Sequence, residues 1–407
     1  MDTRLRGYEA DNEMNFCKQA LALQVNTLQN FVTRNYLMPE TMKAIVKTHP
    51  EFGAEYLEIP IPVPKPDEVL IKVRATSICG TDVHIYEWDP WSEARIGARN
   101  LPQTLGHECA GEVVEVGSHV CRIKVGDNVS LETHIPDPDD VQSFLGQQHI
   151  GEHMKIVGVD RNGSFAEFIS APEVVCWRND RSIPPEYASI QEPLGNACYC
   201  LLGEDGDVVG KSMVILGDGP IGLMAAAMAR IAGVTKIFVT GLSPFCLDIA
   251  KKAGADYTLD AGDQSLDRVA FVRDHTGGFG ADIVLEMSGA KDAVREGFKM
   301  LRKGGRFSAF GLIGAAEISL DYNNDFVFKG SQIYGINGRK MFDTWYRVRN
   351  LLASGRLDVS GIVTGLIGLE DYAGGFDQMT AIPRQSAKIV MFPDPAELAK
   401  AKSRRHA

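Results

Sequence analysis

The stretch VILGDGPIGLMAAAMA, residues 214–229, passes from an apolar run into an alanine- and methionine-rich run through Gly217, Gly219 and Gly222. Alone, the spacing GxGxxG is a weak signal. Here it follows a strand-like segment and opens a helix-like one, which is the context that makes it specific for a dinucleotide. A pyrophosphate rests on the N–H groups at the start of such a helix, and a side chain at the middle glycine would obstruct it. Ile221, between the last two glycines, belongs to the same expected contact.

Working outward, strand-like and helix-like segments alternate from about residue 208. KSMVILG, KIFVTG, DYTLD, ADIVLEMSG, GRFSAFG and SQIYGIN read as strands. PIGLMAAAMARIAG, SPFCLDIAKKAG, SLDRVAFVRDHTG and AKDAVREGFKMLRKGG read as helices. That rhythm predicts a doubly wound parallel sheet over residues 195–337. Ser243 is placed to cap its helix, with Pro244 at the first helical position. An acidic residue normally ends the second strand and binds the ribose hydroxyls of NAD, yet Gly241 stands there. NADP therefore becomes possible, although no arginine follows; Ser243 is a small candidate and Lys251 lies further along the helix. NAD is the first expectation and NADP the second. Further cofactor contacts are expected from Phe310 and Leu312 after one strand and from Ile336 and Asn337 after the next.

Before this unit the character is β-rich. MKAIVKT, VLIKVRATSI, GEVVEVG and DNVSLE alternate or run apolar, with PVPKPDE as a turn. After about residue 338 come a helix, MFDTWYRVRNLLASG, and a last strand, SAKIVMF. A β-rich domain over 42–194 and 338–393, interrupted by the nucleotide domain, accounts for this order. Residues 1–41 carry a partly periodic apolar face and read as a helical extension, and 394–407 as a short, frayed basic tail.

With 407 residues, 44% of them apolar, two or three domains can be filled. A net charge of -11 argues against nucleic-acid or anionic-membrane partners. No apolar run is long enough for a membrane span, and the N-terminal sequence has no secretory h-region. The eight cysteines form no CxxC pair and no disulfide framework, so a reducing, cytoplasmic setting is expected.

Cys79, in TSICGTDVHIYEWDPW, is the residue on which the chemistry turns. A lone cysteine is more often core than ligand. His107 and Glu108 in TLGHECAGEVVEVG and Glu192 in IQEPLGNACYC offer it partners of zinc-ligand chemistry, far apart in sequence. Cys109, Cys198 and Cys200 read as core, and Tyr86, Trp88 and Trp91 as either pocket wall or core.

Taken together, GTDVHIYEWDPW, GHECAGEVVEVG, EPLGNA, GxGPIG and GRKMFDTW resemble the zinc-dependent medium-chain dehydrogenases, most closely their L-threonine 3-dehydrogenase branch, over roughly residues 42–392. The resemblance implies a GroES-like catalytic domain beside the Rossmann domain, and zinc held by Cys79, His107 and Glu108. Glu192 would lie beside the metal, as ligand or proton relay, Thr81 and His84 would carry the proton out, and His134 would be a pocket histidine tied to substrate choice. The implied reaction moves a hydride from a small secondary alcohol, L-threonine first, to a nicotinamide. A polyol, sugar or butanediol dehydrogenase and a non-catalytic nicotinamide-binding protein are the rivals. Relatives are commonly dimers or tetramers, so a homo-oligomer is expected. Many also carry a structural zinc on four cysteines. The corresponding stretch here, 133–163, has no cysteine, which excludes a Cys₄ site. Its His149, Glu152 and His153 would face one another only on a helix, and a solvated loop is the default.

Overall fold

The computed structural model describes residues 39–314 and 317–405. The N-terminal extension therefore lies almost entirely outside the described residues. Six parallel strands form one sheet in the order Tyr257–Asp260, Lys236–Gly241, Ser212–Leu216, Ala281–Glu286, Leu301–Ala309, Gln332–Gly335. The order reverses direction at Ser212–Leu216, so the crevice for a ligand opens at the carboxyl end of that strand. Val214, Ile215 and Leu216 are wholly buried, as a strand covered on both faces requires. The expected cap is present: Ser243 accepts the N–H of Cys246, with Pro244 at the first position of helix Pro244–Ala253.

The second unit is an antiparallel assembly built on the long strand Glu68–Ser77. It pairs with Glu108–Val116 on one side and meets Phe168–Pro172 and Lys388–Phe392 elsewhere along its length. Strand Val363–Gly368 extends the same sheet beyond Lys388–Phe392. Chain from both before and after the parallel sheet is thus combined in one β-rich unit. Helix Tyr372–Thr380 covers this unit by stacking Phe376 on Tyr86, ring centroids 4.1 Å apart and 5° from parallel. Tyr86 is therefore a core residue.

One expectation fails at the C-terminus. Residues Pro395–Arg405 form a helix, not a frayed tail. Arg404 donates to both carboxylate oxygens of Glu186, at 2.8 and 2.7 Å, and Arg74 reaches Glu397 at 2.8 Å. Ala401 is buried on the apolar side. The tail supplies one cation, Arg404, and one acid, Glu397, to this docking, and Lys402, Arg404 and Arg405 lie in the helix's last turn, where its dipole favours them.

Phe376→Ala removes the stacked ring between the returning segment and the helix that begins beside Cys79. It is expected to cost about 3–5 kcal/mol, read as a lowered urea midpoint with an unchanged slope.

Candidate active site

Register brings the site together. Ser77 is paired with Glu108 across the antiparallel ladder. Cys79, two residues past one member of that pair, therefore meets His107, one residue before the other. Donor atoms of Cys79, His107 and Glu108 all lie within 4.8 Å of one another, the one such group of three found among the described residues.

Local structure fixes each donor. Cys79 is the N-cap of helix Gly80–Glu87, and its backbone N–H donates to Asp82 Oδ2 at 2.9 Å. The other oxygen of Asp82 faces His107 Nδ1 at 3.3 Å. One buried carboxylate thus caps the start of the helix and lies against the imidazole, without a hydrogen bond to it. Burial opposes a charge on His107, but Asp82 and Cys79 outweigh it and push its pKa well above the ordinary range. Glu108 is fully buried; Oε2 accepts from Ser77 Oγ and from Lys388 Nζ, the latter at 2.5 Å. Its Oε1 has no hydrogen-bond partner. A thiol, an imidazole and a carboxylate with a spare buried oxygen form a donor set suited to zinc, and the residues fit that ion.

Glu192 stands beside this group, outside the compact set. Its carboxylate accepts from Arg339, as does Asn196 at 3.1 Å. Arg339 also donates from Nε to Glu132 Oε2 at 2.7 Å. The two acids respond differently to the same guanidinium. Burial raises both, yet Glu132 ends below the usual carboxylate range because Arg339, together with the backbone N–H of His134, favours its charge. Trp345 Nε1 also donates to it, at 2.6 Å. Glu192 has less support and faces Glu108, so burial prevails and its pKa is raised.

His134 lies against Gly338, where an added Cβ would come within 2.6 Å of the ring. Burial, reinforced by Arg339, pushes its pKa down to about 3, so the ring is neutral at ordinary pH. Thr81 and His84 share one turn of helix Gly80–Glu87, with no hydrogen bond between them. His84 is exposed, and its Nδ1 is 2.8 Å from Asp89. Trp91 lies near it, centroids 6.1 Å apart, and Trp88 packs under Lys47.

His149 and His153 do not form a shared face. The turn Gln148–Ile150 is a short 3₁₀ segment, His149 packs edge-on against Tyr199, and His153 points to Asp140 at 2.6 Å. Cys109 and Cys198 are buried thiols whose pKa burial pushes up to about 12. Cys200 is buried with them.

At the nucleotide side, Gly217 has φ +120°, and an added Cβ on Gly222 would meet the Gly217 carbonyl oxygen at 2.1 Å. Gly219 caps helix Pro220–Ile231, and Ile221 lies in its first turn. Gly241 ends its strand. Phe310 donates its N–H to Glu286 and is partly buried. Leu312 is 89% exposed, Asn337 is exposed, and the Ile336 side chain is in the core, leaving only its backbone for a ligand.

Sequence reasoning missed Asp82, Glu132, Lys388 and the role of Arg339. Asp82 and Arg339 stand inside quoted motifs, but His107 beside Asp82 and the acids around Arg339 are distant in sequence.

A parallel sheet with a glycine loop at its switch point, beside a thiol–imidazole–carboxylate centre, defines a metal-dependent nucleotide oxidoreductase. Residues 65–181 match the alcohol dehydrogenase GroES-like domain, and residues 220–354 match the zinc-binding dehydrogenase domain. The chain belongs to the zinc-binding dehydrogenase family. It is 46% identical to an L-threonine 3-dehydrogenase of Pyrococcus furiosus over 84% of this chain and 97% of that one. It is also 46% identical to an L-threonine 3-dehydrogenase of Bacillus velezensis, over 86% and 99%. The crystal structure of the 2R,3R-butanediol dehydrogenase of Bacillus subtilis superposes with a TM-score of 0.78 at 28% identity, covering 87% of this chain and 100% of that one.

Arg339→Leu leaves Glu132 and Glu192 as buried charges without their cation, and is expected to cost about 3–5 kcal/mol in chemical denaturation. A second expectation concerns pH. His134 titrates near 3 when folded and near 6.5 when unfolded, so between those values only the unfolded chain takes up its proton. Stability from this group is full above about pH 6.5 and falls by up to about 1.4 kcal/mol per pH unit below it. Urea midpoints at pH 7, 6 and 5 should fall less steeply for His134→Asn than for the parent protein.

Proposed function

We propose that the protein oxidises the hydroxyl-bearing carbon of L-threonine to give 2-amino-3-oxobutyrate, passing a hydride to NAD. The convergence of Cys79, His107 and Glu108 carries this reading, and the L-threonine 3-dehydrogenases that the chain resembles along nearly their whole length supply the substrate. When bound, zinc supplies a Lewis acid that lowers the pKa of an alcohol hydroxyl, and the nicotinamide ring supplies a hydride acceptor.

Cys79, His107 and Glu108 hold the ion in this proposal. Asp82 lies against the imidazole, while Ser77 and Lys388 orient the carboxylate. Glu192 is a neighbouring proton carrier. Thr81 takes the hydroxyl proton inside the cleft and His84 delivers it to solvent. With Nδ1–H directed at Asp89, the outer nitrogen of His84 is left as the base. His134, uncharged, forms part of the substrate wall. The glycine loop and the end of the strand at Gly241 bind the dinucleotide, with Ser243 holding the chain beside it and Phe310 and the chain at Ile336–Asn337 near its nicotinamide end. The catalytic lobe comprises 42–194 and 338–393, and the nucleotide lobe 195–337.

The protein is further proposed to be a cytoplasmic homo-oligomer. All seven cysteines among the described residues are free, and none of the helices in that region is long and apolar enough to cross a membrane. The open edge strand Gln332–Gly335 is a surface to which a second copy can add.

A panel of secondary alcohols with NAD tests the substrate. L-threonine should give the highest kcat/KM; a polyol, sugar or butanediol oxidised much faster would overturn the threonine assignment. Elemental analysis should find zinc in the purified protein and a strongly reduced content in Cys79→Ala. A chain without zinc that gains no activity when zinc is added would favour a non-catalytic role.

A further inference from the structure

The carboxylate absent from the end of the second strand has a replacement in the glycine loop. Gly241 ends strand Lys236–Gly241, where an acidic side chain would begin. A Cβ built on Gly241 would meet Asp218 Cγ at 2.2 Å and Asp218 Oδ2 at 2.3 Å. The carboxylate of Asp218, inside Gly217–Asp218–Gly219, thus fills the volume that a side chain at 241 would enter. Glycine at 241 is what makes room for it.

The placement is held by bonding. Asp218 Oδ2 accepts the backbone N–H of Ser243 at 2.8 Å. Oδ1 accepts no hydrogen bond from the described residues and forms no ion pair, so one oxygen is available to a ligand. Ser243 is itself committed: its hydroxyl accepts from Cys246 N–H and donates to the Arg384 carbonyl at 2.9 Å. It is therefore poorly placed to serve a 2′-phosphate. Arg384 arrives from the segment after helix Tyr372–Thr380, and one of its terminal nitrogens is 3.7 Å from where a Cβ on Gly219 would stand. Its guanidinium has no acidic partner among the described residues. It lies against the glycine loop, where pyrophosphate charge, common to both dinucleotides, is expected.

We propose that Asp218 is the residue that discriminates NAD from NADP, accepting a hydrogen bond from the adenosine ribose in place of a strand-end acid and repelling a 2′-phosphate, while Arg384 serves the pyrophosphate. The inference rests on the nicotinamide-dependent reading above and names the determinant of that same site. A hydrogen bond to a charged acceptor contributes roughly 1.5–3 kcal/mol, which corresponds to about tenfold or more in affinity.

Fluorescence titration of the zinc-loaded protein with NADH and with NADPH, in the absence of substrate, reads binding separately from turnover. NADH should bind at least about tenfold more tightly. Asp218→Asn keeps an oxygen for the Ser243 N–H and removes the charge; its preference for NADH should shrink by about the same factor. Arg384→Ala should weaken both cofactors alike. Equal or tighter binding of NADPH by the parent protein, or an unchanged ratio in Asp218→Asn, overturns the proposal. Selective loss of NADPH binding in Arg384→Ala also overturns it, by assigning that cation to the 2′-phosphate. Failure of both cofactors to bind would instead remove the nicotinamide-dependent reading itself.

Discussion

The buried guanidinium of Arg339 is the constraint on which the arrangement of the two lobes depends. It follows Gly338, where the chain leaves the parallel sheet, and it joins Glu132, beyond the end of strand Asn128–Leu131, to Glu192 and Asn196 on helix Gln191–Leu202. Two carboxylates and one cation taken out of water are costly unless each is paired and hydrogen-bonded. Here Glu132 receives the guanidinium, the Trp345 indole and the His134 N–H. That degree of satisfaction fixes the positions of three segments that share no local sequence signal. It also fixes the electrostatics of the cleft: the charge that holds Glu132 ionised helps to keep His134 neutral.

The parallel sheet was legible because its information is local. Glycine spacing, apolar strands and the Ser243–Pro244 cap each act within a few residues, and the structure realises them directly. Residues that act across the fold were harder to read. Lys388 reads as one cation in a strand, and only the tertiary pairing of its strand with Glu68–Ser77 reveals Glu108 as its partner. Asp82 stood inside a quoted motif, where its bond to the Cys79 N–H is a local cap, but its contact with His107 follows from a strand register that no spacing encodes.

The failures have equally specific causes. The basic C-terminal segment looked solvated because composition reports charge and not the partners elsewhere in the fold, Glu186 for Arg404 and Arg74 for Glu397. His149 and His153 suggested a shared face only under a helical spacing, and the chain makes a single tight turn there before Asp140 captures His153. At Gly241 the sequence invited the conclusion that the ribose acid was lost. Position along the chain hid the fact that an acid following the preceding strand could occupy the same volume.

The chain entering the last strand touches both the Cys79–His107–Glu108 group and the start of helix Pro244–Ala253. Lys388 contacts Glu108, Ser386 offers its carbonyl to the Cys246 thiol, and the Arg384 carbonyl accepts from Ser243. These contacts arise within residues 384–388, an irregular segment that bends at Ala387 before it enters a strand hydrogen-bonded on both sides. One short segment therefore touches both Glu108 and Ser243. Hydride transfer demands close and oriented approach of donor and acceptor carbons. Contacts from one short segment to both places meet that demand with fewer independent motions than two separately anchored loops would allow.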